Sequence, residues 1–364
     1  LPEAFAFRNI TVVDTDRGRL VDGQTVVVRD GRLDRVTSEP PPDELAVIDG
    51  CDRFLVPGLA DMHVHLRRED LTAYLRSGVT TVRNLWGFPG LQSAQAEIDA
   101  GALRGPTVYG ISPGLDGTPV KWPVTQLVMD PAEAEATVQR QLDAGWTALK
   151  LYDDLRSEPF DAIIEAAQAK GVTYGGHVPR RVGIDRALGA GYRHIEHLSG
   201  YEQRLNPSGG IGAFAWRTID ASLIDELVQA TVDAGTWNCP TLAIFDDISR
   251  GDATIRANRQ RVVRALFEGG AGLLIGTDAG IGRTAPGTSV HDEMALFEGA
   301  GLTPAEVLRI ATVEAARFLD AENAFGRIAA GLRADLLLVT HNPLEDLDAL
   351  RQPEVVIARG VRMR

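Results

Sequence analysis

At 364 residues, 44% hydrophobic and 24% charged, the chain has the proportions of an ordinary soluble globular protein and suits a barrel of about 250 residues with an appendage. Its formal net charge of −13 excludes nucleic acid as a partner, because phosphate binding needs a basic surface. No apolar run approaches the roughly 18 residues that span a bilayer.

The sequence begins Leu1-Pro2-Glu3. A secretory leader removed before Leu1 would make the protein exported and periplasmic; without one it would be cytoplasmic. Residues 6–14, 24–29 and 33–36 predict strands, with Asp30-Gly31 as the hairpin turn between the last two. Strand character returns over residues 334–340 and 354–359, which predicts a small β-sandwich domain built from residues 1–57 and 326–364. From 58 to 325 apolar strands alternate with helical segments. The strands are expected at 59–65, 79–85, 107–112, 148–152, 172–178, 194–198, 236–242 and 273–278. Helix starts fall between them at Asp130-Pro131, near Asp220 and at Thr303-Pro304, two of these with proline at the first helical position. Eight strands with intervening helices predict an α/β fold, a closed (β/α)8 TIM barrel whose active site lies at the C-terminal strand ends. Cys51 and Cys239 are too few for a disulfide framework and match no zinc spacing, so both are expected as buried free thiols.

The stretch LVPGLADMHVHL, residues 55–66, organises the rest. Side chains alternate across a strand, so His63 and His65 share a face and can chelate a metal there. Other strand ends carry further candidate ligands: Lys150 on the fourth, His177 on the fifth, His197 on the sixth and Asp278 on the eighth. His194 and His197, three residues apart, face opposite sides, so at most one of them enters the site. Asp61 shares the face of His63 and suits either a supporting hydrogen bond to a ligand or a purely structural one.

PGLADMHVH, the lysine of ALKLY, the histidine of GGHVP, the second histidine of HIEHL and the aspartate of IGTDAG together resemble the amidohydrolase superfamily of metal-dependent hydrolases. The resemblance runs along essentially the whole chain. It picks His197 over His194, which would turn with Glu196 toward the helical layer. It also implies that Lys150, a poor ligand as an ammonium, is N6-carboxylated and bridges two divalent metal ions, zinc being expected. One metal would then be held by His63, His65 and Asp278 and the other by His177 and His197. Such metals would lower the pKa of a bound water and give a hydroxide nucleophile. Asp278 could take its proton and pass it to the leaving group.

Tyr152, two residues past Lys150, Tyr201, soon after His197, and His291 in PGTSVHDEM are candidate substrate contacts. Arg180, Arg181 and Arg283 follow ligand strands and could meet a carboxylate. The split terminal sheet, GVTTVRN and IEH most resemble the prolidase-like and imidazolonepropionase-like branch. That implies hydrolysis of an amide bond in a dipeptide or N-acyl amino acid, a peptidase activity on a small molecule. The departure is His177-Val178-Pro179, where many prolidase-like members carry His-Ala-Tyr. Hydrolysis of a lactone, cyclic imide or phosphotriester at the same centre is the alternative. A non-catalytic scaffold fits poorly with a full ligand set, and the oligomeric state is left open.

Overall fold

Alternating apolar residues at both ends of the chain pair with one another. The computed structural model describes residues 4–363, so Leu1, on which the question of a leader turns, lies outside it. Strands Ala4–Asp14, Arg19–Arg29, Arg32–Thr37, Phe54–Pro57, Leu336–Val339, Val355–Ala358 and Val361–Arg362, with Ala46–Asp49 beside the first, join in an eight-stranded sheet. Asp30 and Gly31 both take positive φ, 49° and 75°, as the tight hairpin turn requires. In place of the expected sandwich of two sheets there is one hydrogen-bonded path. The first strand shifts register after Phe7 and again after Ile10, which increases local twist. It pairs Ala46–Asp49 along its first half and Phe54–Pro57 along its second. Phe5, Phe7, Val28, Leu55, Leu336 and Ile357 belong to a core cluster of this sheet's own. Cys239 is buried as expected, but Cys51 is exposed, because it follows this sheet on the turn after Ala46–Asp49.

The strands between the two ends are parallel. Leu59–Val64, Val79–Asn84 and Thr107–Gly110 form a three-stranded sheet. Gln126–Leu127, Gly114–Asp116, Ala148–Leu151, Thr173–Gly176, His194–Glu196 and Trp237–Cys239 form a six-stranded one. Every residue of Leu59–Val64 and Val79–Asn84 is buried, as in parallel strands covered on both faces. The expected strand at 273–278 does not form; Leu273 and Ala279 make only isolated bridges. The amides of Thr277 and Asp278 both donate to the His63 carbonyl, at 3.2 and 2.8 Å, and Asp278 has a φ of 58°. A left-handed residue at that point interrupts the ladder. The two parallel sheets therefore do not run on as one closed sheet.

Helices fill the connections, with caps where the sequence places them. The Asp130 side chain accepts from the Ala132 amide ahead of Ala134–Asp143. Asp220 accepts from Ser222 ahead of Ile224–Asp233, and Thr303 and Glu306 form a capping box on Pro304–Arg309. Val138, Leu227 and Val307 from these helices join the main core against Leu59, Leu149 and Ile195 from the strands. Among the described residues no helix is long and apolar enough to cross a membrane.

Candidate metal centre

At the C-terminal ends of these strands the backbone turns sharply. His197, directly after His194–Glu196, has a φ of 64°; Thr241, just past Trp237–Cys239, has 49°, and Asp278 has 58°. Left-handed backbone costs a non-glycine residue roughly 1–2 kcal/mol and persists only where the surroundings enforce it. All three residues end up around one point.

The histidines are held by their outer nitrogens. His63 Nδ1 donates to Glu196 Oε2 at 2.6 Å and His177 Nδ1 to Asp153 Oδ1 at 2.7 Å, while His197 Nδ1 engages the Thr241 hydroxyl at 2.7 Å. The carboxylate partners set the Nδ1–H tautomer of His63 and His177, whose Nε2 then carries the lone pair, while the Thr241 hydroxyl can serve His197 Nδ1 as donor or acceptor. The His197 ring lies 4.6 Å from that of His63 and 4.7 Å from that of His177. Asp278 Oδ1 sits 3.1 Å from His63 Nε2 and 2.9 Å from His65 Nε2. The structure thus gathers His63, His65, His177, His197 and Asp278.

Electrostatics match that arrangement. Burial holds His177 and His197 below their ordinary value, against the pull of Asp153 on one and Asp278 on the other; both are neutral at pH 7, the ligating state. Against burial, His63 and His197 hold the Asp278 carboxyl well below the usual range. Burial pushes Lys150 down to about 8, with Glu196 and Asp278 acting the other way.

The donor set fits a divalent metal. His63 Nε2 and Asp278 Oδ1 are buried and make no hydrogen bond, and the ligand atoms of His63, His197 and Asp278 lie within 4.8 Å of one another. Buried polar atoms left over in this way are costly without a partner. His63, Glu196 and Cys239 also gather within 4.8 Å. There the imidazole and carboxylate already bond each other, and burial raises the Cys239 thiol well above its ordinary value, so that group suits a hydrogen bond better than an ion.

The two glycines of GGH make room for this. A Cβ on Gly175 would lie 2.5 Å from the His194 carbonyl oxygen. On Gly176, whose φ is 128°, it would lie 2.5 Å from the Leu151 carbonyl oxygen and 2.9 Å from Lys150 Cδ. Gly176→Ala is expected to destabilise the fold by about 1–3 kcal/mol through backbone strain and to lower metal content. Denaturant midpoints and elemental analysis would check this; unchanged values would mean that Leu151 and Lys150 can give way.

Several residues lie elsewhere than the sequence suggests. Glu196 does not turn to the helical layer: it is fully buried and accepts from His63 and His194 at 2.6 Å each and from Arg83. His194 and Glu196 share the strand face that looks inward. His197 joins them only because its left-handed backbone breaks the alternation. Tyr201 is buried with its hydroxyl on Thr231 at 2.8 Å. His291 is buried with Nε2 on the Ser77 carbonyl at 3.0 Å; these hydrogen bonds are made to residues outside the cluster. Tyr152 stays beside it, its ring 4.1 Å from that of His177 and its hydroxyl accepting from Trp122 Nε1 at 2.7 Å. Asp61 accepts from the Thr277 hydroxyl at 2.6 Å and amide at 3.1 Å, stapling the segment that carries Asp278. Arg180 pairs with Asp153 and Asp154; Arg181 and Arg283 are exposed. A pocket of about 130 Å³ opens beside His177 and His197, walled by Val178, Glu202, Trp216 and Phe245.

Residues 54–362 match the amidohydrolase family, and the chain belongs to it. It is a hydrolase of a family that is generally metal-dependent. It is similar to ochratoxinase of Aspergillus niger, 24% identical over 83% of this chain and 73% of that protein. It is also similar to an adenine deaminase of Mesorhizobium japonicum, 24% identical over 100% of this chain and 57% of that one. A crystal structure from Bifidobacterium longum described as a prolidase superposes with a TM-score of 0.80 at 28% identity, covering 99% of this chain and 94% of that one.

Proposed function

We propose that the chain hydrolyses the amide bond of a dipeptide or N-acyl amino acid at a centre of two divalent metal ions, zinc by preference, held by His63, His65, Lys150, His177, His197 and Asp278. The observation that carries this reading is the meeting of His63 and His197, each tethered through Nδ1, at the Asp278 carboxylate, with the tethered His177 ring against that of His197. The likeness to a structure described as a prolidase supports the choice of amide. Bound metals of this kind supply a water acidified toward neutrality and a polarised carbonyl. Asp278, ionised, would take a proton during attack and return it to the departing nitrogen. Lys150, brought down to about 8 by burial, keeps a share of neutral amine at neutral pH. That amine can add to carbon dioxide, losing one proton and leaving an N6-carboxylate able to bridge two cations. Tyr152 borders the substrate's place beside His177.

In this reading Leu59–Val64, Val79–Asn84, Thr107–Gly110 continued by Gly114–Asp116, Ala148–Leu151, Thr173–Gly176, His194–Glu196, Trp237–Cys239 and residues 273–279 make up one (β/α)8 barrel, with Gln126–Leu127 outside it. Its support is the pair of links from Ser112 to Ala148 and from Met62 to Ile275, at 3.0 and 2.8 Å. Residues 58–325 then form the barrel, and 1–57 with 326–364 the accessory domain. A second reading, hydrolysis of a lactone, cyclic imide or phosphotriester, is favoured by Val178, which is buried in the pocket wall and offers a substrate no polar side-chain handle.

Metal-loaded protein assayed on dipeptides, N-acyl amino acids, lactones and phosphotriesters separates the two, the first two classes being the expected substrates. Elemental analysis should find about two metals per chain and intact mass spectrometry a carboxylated Lys150. Full occupancy at one metal with unmodified lysine would end the binuclear reading, and turnover of lactones or phosphotriesters alone would end the amide one.

A further inference from the structure

At the opposite ends of the strands, where Ala148–Leu151, Thr173–Gly176 and His194–Glu196 begin, lies a cavity of about 400 Å³ for which the reaction has no use. Arg83, 3% exposed, lines it. Its Nη2 donates to Glu196, while Nε and Nη1 are buried without a hydrogen-bond partner. These two nitrogens are closed off from the cavity, so a ligand oxygen recovers the cost of leaving them unmatched by drawing the guanidinium outward.

Arg193 lines the same cavity, its Nη2 held by the Phe318 carbonyl at 2.7 Å and by Asp320 at 3.1 Å. Asp320 is 84% exposed, so it offsets little of that charge. Glu196, the other nearby carboxylate, is shared among Arg83, His63 and His194. Both guanidinium groups stack on the Phe318 ring, their Cζ atoms 4.8 and 5.2 Å from its centroid. Trp146, Ile111 and Leu319 extend this apolar wall. Unused N–H donors and positive charge thus adjoin aromatic surface, in a volume within the range of about 300–1,000 Å³ typical of small-molecule sites.

We propose that this cavity binds a small carboxylate with an aromatic or branched apolar tail. Its oxygens meet Arg193 and Arg83, for which planar guanidinium groups are the matched partners, and its tail lies along Trp146 and Phe318. The occupant sits three hydrogen bonds from a candidate ligand, its own to Arg83 and then through Glu196 to His63, yet at the opposite ends of the strands from the metal centre.

Fluorine NMR of metal-loaded protein labelled with 5-fluorotryptophan tests this with benzoate as the probe. Trp146 reports on the cavity, whereas Trp86 and Trp122, which both touch Tyr152, report on the metal centre. Benzoate should move the Trp146 resonance saturably. Benzamide, with the same shape and no charge, should bind at least about 10-fold more weakly, the scale of one charge-assisted hydrogen bond. Arg193→Gln should weaken benzoate by a similar factor. The proposal is overturned by no saturable movement of Trp146, by equal affinity for benzamide, or by movement of Trp86 and Trp122 alone. Should Arg193→Gln not fold, the comparison of benzoate with benzamide on the unaltered chain decides by itself.

Discussion

Asp278→Asn, fully loaded with metal, is expected to lose about 10²-fold or more in kcat on an amide substrate. Asparagine keeps the shape of the side chain and an oxygen that can still face a metal, but at neutral pH it neither accepts nor returns a proton. The wild-type carboxyl is held well below the usual range, above all by His63, in spite of its burial, so it is ready to accept one. If Asp278 served only as a ligand, activity would follow metal content, and excess metal would restore most of the rate. If it carries the proton, the loss persists at full occupancy and shrinks for substrates with good leaving groups, such as activated esters, whose departure needs little protonation. A metal-replete variant with near-normal amide turnover would remove Asp278 from proton transfer.

The residues that alternate inside regular strands were the legible part. His63 follows Asp61 on one face of a fully buried strand, and periodicity alone places both inward. The hairpin at Asp30-Gly31 and the caps at Asp130, Asp220 and Thr303 were legible for a similar reason, since each is a local backbone requirement. Parity failed where the backbone left the β region. His197 and Asp278 reach the centre through positive φ, which period-2 counting does not contain, and Glu196 was consequently assigned to the wrong side. Asp153 and Thr241, which hold His177 and His197, carry no motif, because any acceptor at the right height would serve. Arg83 did leave a signal: a charged residue within a strand that is buried throughout needs a buried counter-charge, and Glu196 is that partner. The long connection that buries His291 against the end of an early helix depends on tertiary packing and left no mark in the local sequence.

Glu196→Gln is expected to remove about 3–5 kcal/mol of stability, because it strands the buried Arg83 guanidinium without its counter-charge. It should also weaken metal binding by about 10- to 100-fold, the usual effect of removing a carboxylate that orients a ligating imidazole. Both follow from one side chain that accepts from Arg83, His194 and His63 at once. In spite of burial, Arg83 and His63 hold the Glu196 carboxyl well below the usual range. A folded value below the unfolded one means that the stabilisation is complete above the unfolded carboxyl value of about 4.3 and is lost as pH falls through it toward the lower folded value. Metal-stripped Glu196→Gln should therefore show a shallower acid limb than the metal-stripped wild type. Replacing Arg83 by methionine in the same chain should recover part of the lost stability, since no unpaired charge then remains, but none of the metal affinity, since His63 Nδ1 still lacks its acceptor. Denaturant midpoints between pH 3 and pH 7 (a range set by the carboxyl values above) and metal titrations of the wild type and the two variants would measure this. A single variant as stable as the wild type, with an unaltered metal affinity, would show that Glu196 supports neither Arg83 nor His63.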